Sequence, residues 1–271
     1  VNVNSNPKLL KLNTEESESL NHAYGTNGII TSLILATDIK RKWYSLIIDC
    51  PEFKKTIELL KIFTASAIDI KLGAILEKEI VDQMPAWFKS KNITNTVLLQ
   101  TTLGGLKTIE FICKKHEVEI INLGKEKGLD NGISDLVWNH TTLQMRSRDK
   151  KWTYLQMLLP LNEEYDFINS LRIIFGKKIL WHLEAVSQQG VPRIAALPVF
   201  KWTNENDLNK IIDECRKLGA IIFNPHVLTV EDGGLGVIDA DQVKAKLEYD
   251  PKGLLNPGKL KGWESKDKFL N

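Results

Sequence analysis

Short β-branched runs alternate with amphipathic helical stretches from residue 44 to residue 223. Residues 45–49 read as a strand. Pro51 then opens a helix through Phe63, with Phe53, Ile57, Leu60 and Ile62 along one stripe, the spacing of a helix with one buried face. Residues 67–72 alternate apolar and polar as a half-buried strand does. The rhythm returns as strand 96–101, helix 103–115 and strand 118–121. It returns again as strand 153–159, helix 163–175 and strand 179–186, and a fourth time as 195–200, 205–218 and 220–223. Helical stretches at roughly 77–89 and 131–147 interrupt it. Ahead of the rhythm, residues 29–37 are apolar enough for one more strand. After it, residues 224–238 read as loop and 240–247 as a short helix with Asp239 as N-cap.

The predicted strands are too polar for burial on both faces, which weighs against the runner-up architecture, a doubly wound parallel sheet. The expected fold class is α+β. It is a broad antiparallel sheet with helices on one face, built like two ferredoxin-like halves.

Composition narrows the function. The chain is 43% apolar and 26% charged over 271 residues, enough to bury a sizeable core. Its 36 basic and 34 acidic residues leave a net charge of +2, so no bulk field recruits nucleic acid or an anionic membrane. No apolar run approaches the ~20 residues that span a bilayer, and no secretory signal opens the chain. Cys50, Cys113 and Cys215 are odd in number and far apart. That argues against a disulfide framework or a zinc site and leads us to expect a reducing, cytoplasmic setting. The polar lead that begins at Val1 reads as a processed or partial start. The seven tryptophans are spread evenly and read as packing residues, not as a base-stacking platform.

Two glycine-bearing turns stand out, Tyr24-Gly25-Thr26-Asn27-Gly28-Ile29-Ile30-Thr31 and Asp250-Pro251-Lys252-Gly253-Leu254-Leu255-Asn256-Pro257-Gly258-Lys259. Glycine lets backbone N–H groups approach a phosphate or a flat ring, but each segment alone also reads as an ordinary turn. In this order, with about two hundred residues of α+β material between them, they resemble the second flavin-contacting loop and the C-terminal loop of FAD-linked oxidoreductases of the vanillyl-alcohol oxidase type. The resemblance runs from about Tyr24 to Trp263. It implies that residues 1–41 end an FAD-binding domain, that 42–235 form a cap (substrate) domain, and that 236–271 return to the FAD-binding domain. It also implies FAD as cofactor, with Tyr24, Gly25, Thr26, Gly28 and Ile30 along its pyrophosphate, ribose and adenine side. Asn256 and Lys259 would lie toward the isoalloxazine side. Asn27 stands where the family often has leucine. The family's N-terminal lobe, with its glycine-rich phosphate loop, has no counterpart in this sequence. FAD binding by the chain alone is therefore expected to be weak or absent, and the lobe or a subunit carrying it is an expected partner.

Hydride transfer from an alcohol needs a group that takes the hydroxyl proton. His226, in Asn224-Pro225-His226-Val227, lies where the family faces the flavin ring, with Glu231 and Asp232 following it. A carboxylate that meets this imidazole would fix its tautomer; a loop histidine bonded to backbone is the plainer alternative. His140, in Trp138-Asn139-His140-Thr141-Thr142, is a second candidate, read as a substrate wall or as a structural cap. Arg146 and Arg148 follow it and are candidates for binding a substrate anion, with a solvated helix end as the alternative. His22, His116 and His182 are set aside, and no pair of histidines has helical or hairpin spacing with a carboxylate, so no metal site is expected. The expected activity is FAD-dependent oxidation of a hydroxy acid, polyol or related alcohol, a small-molecule substrate. A non-catalytic ferredoxin-like module that binds a ligand or partner is the alternative, and a separate cap subunit is a third reading.

Overall fold

The computed structural model describes residues 1–3, 6–89, 93–125, 132–233 and 236–265. The expected helix start at residue 131, the glycine at 234 and the charged tail beyond 265 lie outside the described residues. By contacts, the chain divides into one unit of Val1–Asp38 with Phe223–Asn271 and a second of Ile39–Ile222. Residues 223–235 thus fall in the first unit.

The second unit is built on a sheet in which one strand order occurs twice. β1 (Tyr44–Asp49), β2 (Ile70–Leu76), β3 (Thr96–Thr101) and β4 (Glu119–Lys125) lie in the order β4-β1-β3-β2. β6 (Gln156–Leu158), β7 (His182–Gln188), β8 (Val191–Ala196) and β10 (Ile221–Phe223) repeat it as β10-β6-β8-β7. Each half carries two crossover helices. These are α2 (Phe53–Ala65) and α5 (Leu103–Lys115) in the first, and α7 (Glu164–Phe175) and α8 (Glu205–Lys217) in the second. Both halves are ferredoxin-like. They join where the equivalent strands β2 and β7 pair antiparallel, with Ala74 beside Glu184 and Leu76 beside His182. The result is the broad antiparallel sheet that the sequence rhythm predicts.

Alternation along the strands sorts their side chains into two cores. Leu46, Ile48, Ile75, Val97, Leu99 and Leu183 pack under the four long helices, against residues such as Phe63, Ile109, Phe167 and Ile212. Each fully buried side chain of this size contributes roughly 1.5–3 kcal/mol. Ile47, Leu72, Ala74, Leu76 and Leu98 point the other way. The two segments that interrupt the rhythm cover this second face. They form α3 (Lys78–Val81), α4 (Ala86–Lys89), a 3-10 turn at Ile133–Leu136 and α6 (Asn139–Arg148), which bring Ile80, Phe88, Leu136 and Met145 onto it. The long helices occupy one face as expected, and the short ones supply a second layer on the other.

Three sequence readings are corrected. Residues 29–37 form no strand. Ile30, Leu33, Ile34 and Leu35 stand exposed, and a strand does not form without a ladder partner. The expected strand 195–200 breaks at Leu197-Pro198, giving β8 and β9 (Val199–Lys201), which pairs with β5 (Trp152–Tyr154) instead. β8 begins earlier because Gln189 (φ 52) and Gly190 (φ 81) close a two-residue hairpin whose mirror-image turn matches the strand twist.

Candidate functional site

In the first unit the two glycine turns meet. Asn256 Nδ2 donates to the Tyr24 carbonyl at 2.5 Å. Gly25 sits at φ +67, and a Cβ there would lie 3.0 Å from Asn256 Nδ2, so this position needs both glycine's conformational range and its size. Beneath the contact, Lys246 of α10 (Ala240–Tyr249) ties the turns together. Its ammonium donates to Thr26 O at 2.8 Å, Leu255 O at 2.9 Å and Asp250 Oδ2 at 2.5 Å. The Lys246 and Asp250 side chains are 3% and 0% exposed, so this is a buried ion pair with its hydrogen bonds satisfied. Burial works to raise the Asp250 carboxyl, but bonds from Lys246 and from the Leu255 and Leu254 amides outweigh it and hold the group below its ordinary 3.8.

The predicted cofactor residues separate into a lip and an interior. Tyr24, Gly25, Ile30 and Asn256 are exposed, while Gly28 and Lys259 are half-buried. Thr26 is buried, and its hydroxyl turns inward to Ala23 O and Asn27 Oδ1. Asn27 is buried too, donating to Ser19 O and Gln242 O. These two residues build the turn and do not present side chains at its surface.

The His226 loop lies beside this lip. A Cβ on Gly233 would fall 2.2 Å from Tyr24 Oη and 3.4 Å from Val227, so the phenol end of Tyr24 abuts the backbone at Gly233. The amide of Val230 donates to Lys259 O. His226 is exposed, with its backbone N–H held by Asn224 Oδ1 at 3.0 Å. Glu231 is buried in α9 (Val230–Gly233), where its Oε1 accepts from the Gly262 amide at 2.9 Å. Glu231 therefore anchors the tail to the loop.

In the second unit, His140 lies in the first turn of α6, inside the helical stretch expected at 131–147. Its Nδ1 lies 3.2 Å from Ser134 O. A carbonyl only accepts, so Nδ1 carries the proton and Nε2 is left as the basic nitrogen. His140 lines a cavity of about 340 Å³ with Trp87, Asp135, Leu136, Leu143 and Gln144. Arg146 donates to Trp152 O at 2.8 Å, and Arg148 donates to Gln83 O at 2.9 Å and Met84 O at 3.3 Å. Both guanidiniums brace backbone.

A buried pair that includes His182, which the sequence reading set aside, holds the start of α6. His182 Nε2 donates to Glu184 Oε1 at 2.6 Å, with both side chains inaccessible. The Trp138 amide donates to the same oxygen at 2.7 Å, which holds Trp138 at φ 55, a strained value for a bulky residue. His182 Nδ1 and Glu184 Oε2 are buried with no hydrogen-bond partner among the described residues. The signal was legible: His-x-Glu on a strand puts both side chains on one face.

No family model matches the chain, and no curated protein matches its sequence. Among solved structures, an alkyldihydroxyacetonephosphate synthase matches with a TM-score of 0.53 and 14% identity, over 81% of this chain and 45% of that one. The likeness is one of fold, and the chain spans less than half the length of that neighbour.

Proposed function

We propose that this chain is the substrate-side and C-terminal part of an FAD-dependent oxidoreductase acting on a hydroxyl-bearing small molecule. The observation that carries the reading is the junction of Tyr24 and Gly25 with Asn256. Two turns whose order along the chain resembles that of the vanillyl-alcohol oxidase type form one exposed lip, in a chain whose fold is similar to that of an alkyldihydroxyacetonephosphate synthase. The lip fits a flat or phosphorylated group: a glycine with no Cβ, an exposed tyrosine and exposed backbone lie side by side. Thr26 and Asn27 support the lip from within.

Bound FAD supplies the acceptor for the hydride. The chain's own residues then have three tasks. Tyr24, Gly25 and Asn256 hold the cofactor's edge, with Gly28, Ile30 and Lys259 flanking. His226, on the loop that leads to Gly233, accepts the hydroxyl proton at its imidazole. Glu231 positions that loop by anchoring Gly262. The exposed apolar side chains of Ile30, Leu33, Ile34 and Leu35 are offered to a further FAD-binding lobe or subunit, which completes the cofactor site.

The test uses protein made from the complete coding sequence. It should purify with flavin or take FAD up on reconstitution. Gly25→Val should lower that occupancy, and His226→Gln should retain flavin while slowing its reduction by substrate. A complete protein that holds no FAD under either condition refutes the reading.

A further inference from the structure

The seam between the two ferredoxin-like halves opens at one end into a cavity of about 540 Å³. That lies within the ~300–1,000 Å³ of ligand sites, which favour such boundaries. Each half gives the cavity one sign of unspent charge. Glu77 and Glu79 follow β2 of the first half, whereas Arg172 of α7 and Lys177 of the turn after it belong to the second. Lys78 also touches the cavity, but its ammonium is paired with Asp82 one helical turn on. Pro51, exposed, and Phe53 and Ile179, largely buried, add apolar surface.

Two ion pairs cross the seam and leave different groups spare on its two sides. Arg172 stacks on the Phe53 ring, with Cζ 4.4 Å from the centroid, an attraction that holds the guanidinium in place. The guanidinium has five N–H donors. One end of it, Nη2, donates to Glu77 Oε1 at 2.5 Å, and Nε and Nη1 have no partner among the described residues. Glu77 is spent, because its Oε2 accepts from the Trp181 amide at 2.8 Å. Glu79 is not. Its Oε1 meets Lys177, and its side chain is 31% exposed. Burial works to raise this carboxyl, but the bond from Lys177 outweighs it and holds the group below its ordinary 4.5. Glu79 is therefore a carboxylate at neutral pH, with lone pairs still to offer.

The cleft thus sets guanidinium donors on one side and a carboxylate acceptor on the other. An anion alone would suit Arg172 but meet Glu79 as a like charge, and an ammonium alone would suit Glu79 but meet Arg172. A zwitterion places one charge on each and brings no net charge into the cleft. We infer that this cavity binds a free α-amino acid with an apolar side chain, its carboxylate on Arg172 and its ammonium on Glu79. The side chain is left to Pro51, Phe53 and Ile179. The site lies wholly within the second unit and does not rest on the oxidoreductase reading.

Ligand-observed saturation-transfer NMR on the full chain tests the inference with three probes of one carbon skeleton. Leucine carries both charges, 4-methylpentanoate lacks the ammonium, and 3-methylbutylamine lacks the carboxylate. Leucine should bind, and each of the other two should bind at least about tenfold more weakly, the effect of one charge-assisted hydrogen bond lost. Glu79→Gln should weaken leucine by about the same factor and strengthen 4-methylpentanoate, since it removes the like charge. The comparison among probes is read in the unsubstituted chain, so it does not depend on the variant folding. Absence of leucine binding, either fragment binding as tightly as leucine, or leucine binding unchanged in folded Glu79→Gln overturns the inference.

Discussion

The side-chain amide of Asn256 hydrogen-bonds the carbonyl of Tyr24 across 232 positions of chain. Asn256 adopts φ 40 and Tyr24 φ 51, conformations uncommon outside glycine, so two strained turns hold each other in place. Asn256→Gly keeps the backbone conformation accessible and removes only the amide. It should destabilise the chain by about 1 kcal/mol, the usual net value of one such bond. Asn256→Asp should do no better, because a carboxylate cannot donate to a carbonyl. Denaturant unfolding measures both, and an unchanged midpoint for either contradicts the junction.

Lys246 and Asp250 make the same junction sensitive to acid. The folded Asp250 carboxyl lies below its ordinary value of 3.8, so the folded state binds this proton less readily than the unfolded one. Its contribution to stability is therefore present above 3.8 and is lost as pH falls through the lower folded value. Asp250→Asn should flatten that acid limb while costing stability at neutral pH. Lys246→Met leaves the carboxylate buried without its cation and should cost more, on the order of 3–5 kcal/mol. Unfolding followed at several pH values checks the pair. An acid limb unchanged in Asp250→Asn would show that the carboxyl is not depressed.

Much of the sheet was legible because alternation and helical stripes are local properties. The helix at 103–115 has its predicted ends, and the 205–218 and 163–175 helices differ by a single residue. What stayed hidden depends on partners distant in sequence. Residues 29–37 have strand composition yet no ladder partner among the described residues, and composition alone cannot reveal that. The inward turn of Thr26 and Asn27 is set by Ala23, Ser19 and Gln242, the last from the far end of the chain. The arginines at 146 and 148 carried the charge of an anion site, but their carbonyl partners come from separate segments. The two-core arrangement was visible only in part, since the interrupting helices gave no sign of which face they would cover.

Glu184 should matter far more than its place on an ordinary strand implies. Glu184→Ala removes the acceptor of both the Trp138 amide and His182 Nε2, leaving the buried imidazole donor unpaired at about 1–3 kcal/mol and the part-buried amide without its carboxylate. Glu184→Gln retains an oxygen for one donor and should recover part of the loss. Because Trp138 leads into α6, the Ala variant should also speed amide hydrogen exchange over Asn139–Arg148 more than in α2 or α8. Uniform acceleration across all three helices would mean that Glu184 serves only the general core.

The thiols give an independent check on how tightly the helical face is packed. Cys215 of α8 is 1% exposed, and burial pushes its thiol up to about 12, with the Glu214 charge adding to the effect. Cys113 is likewise pushed up to about 12, by burial first and by the neighbouring Cys50 second. The thiolate is the reactive form, so moving from 9.0 to about 12 lowers the reactive fraction about a thousandfold at neutral pH. Iodoacetamide should leave the native chain unlabelled and modify Cys50, Cys113 and Cys215 once denaturant is added. The same shift has a sign in stability. Between 9.0 and about 12 the folded state keeps a proton that the unfolded thiol has released, so stability should decline as pH rises through that window. Cys215→Ala should make that decline shallower at the expense of a small cavity. Rapid native labelling at Cys215 would show that α8 opens far more often than its burial in the helical-face core allows.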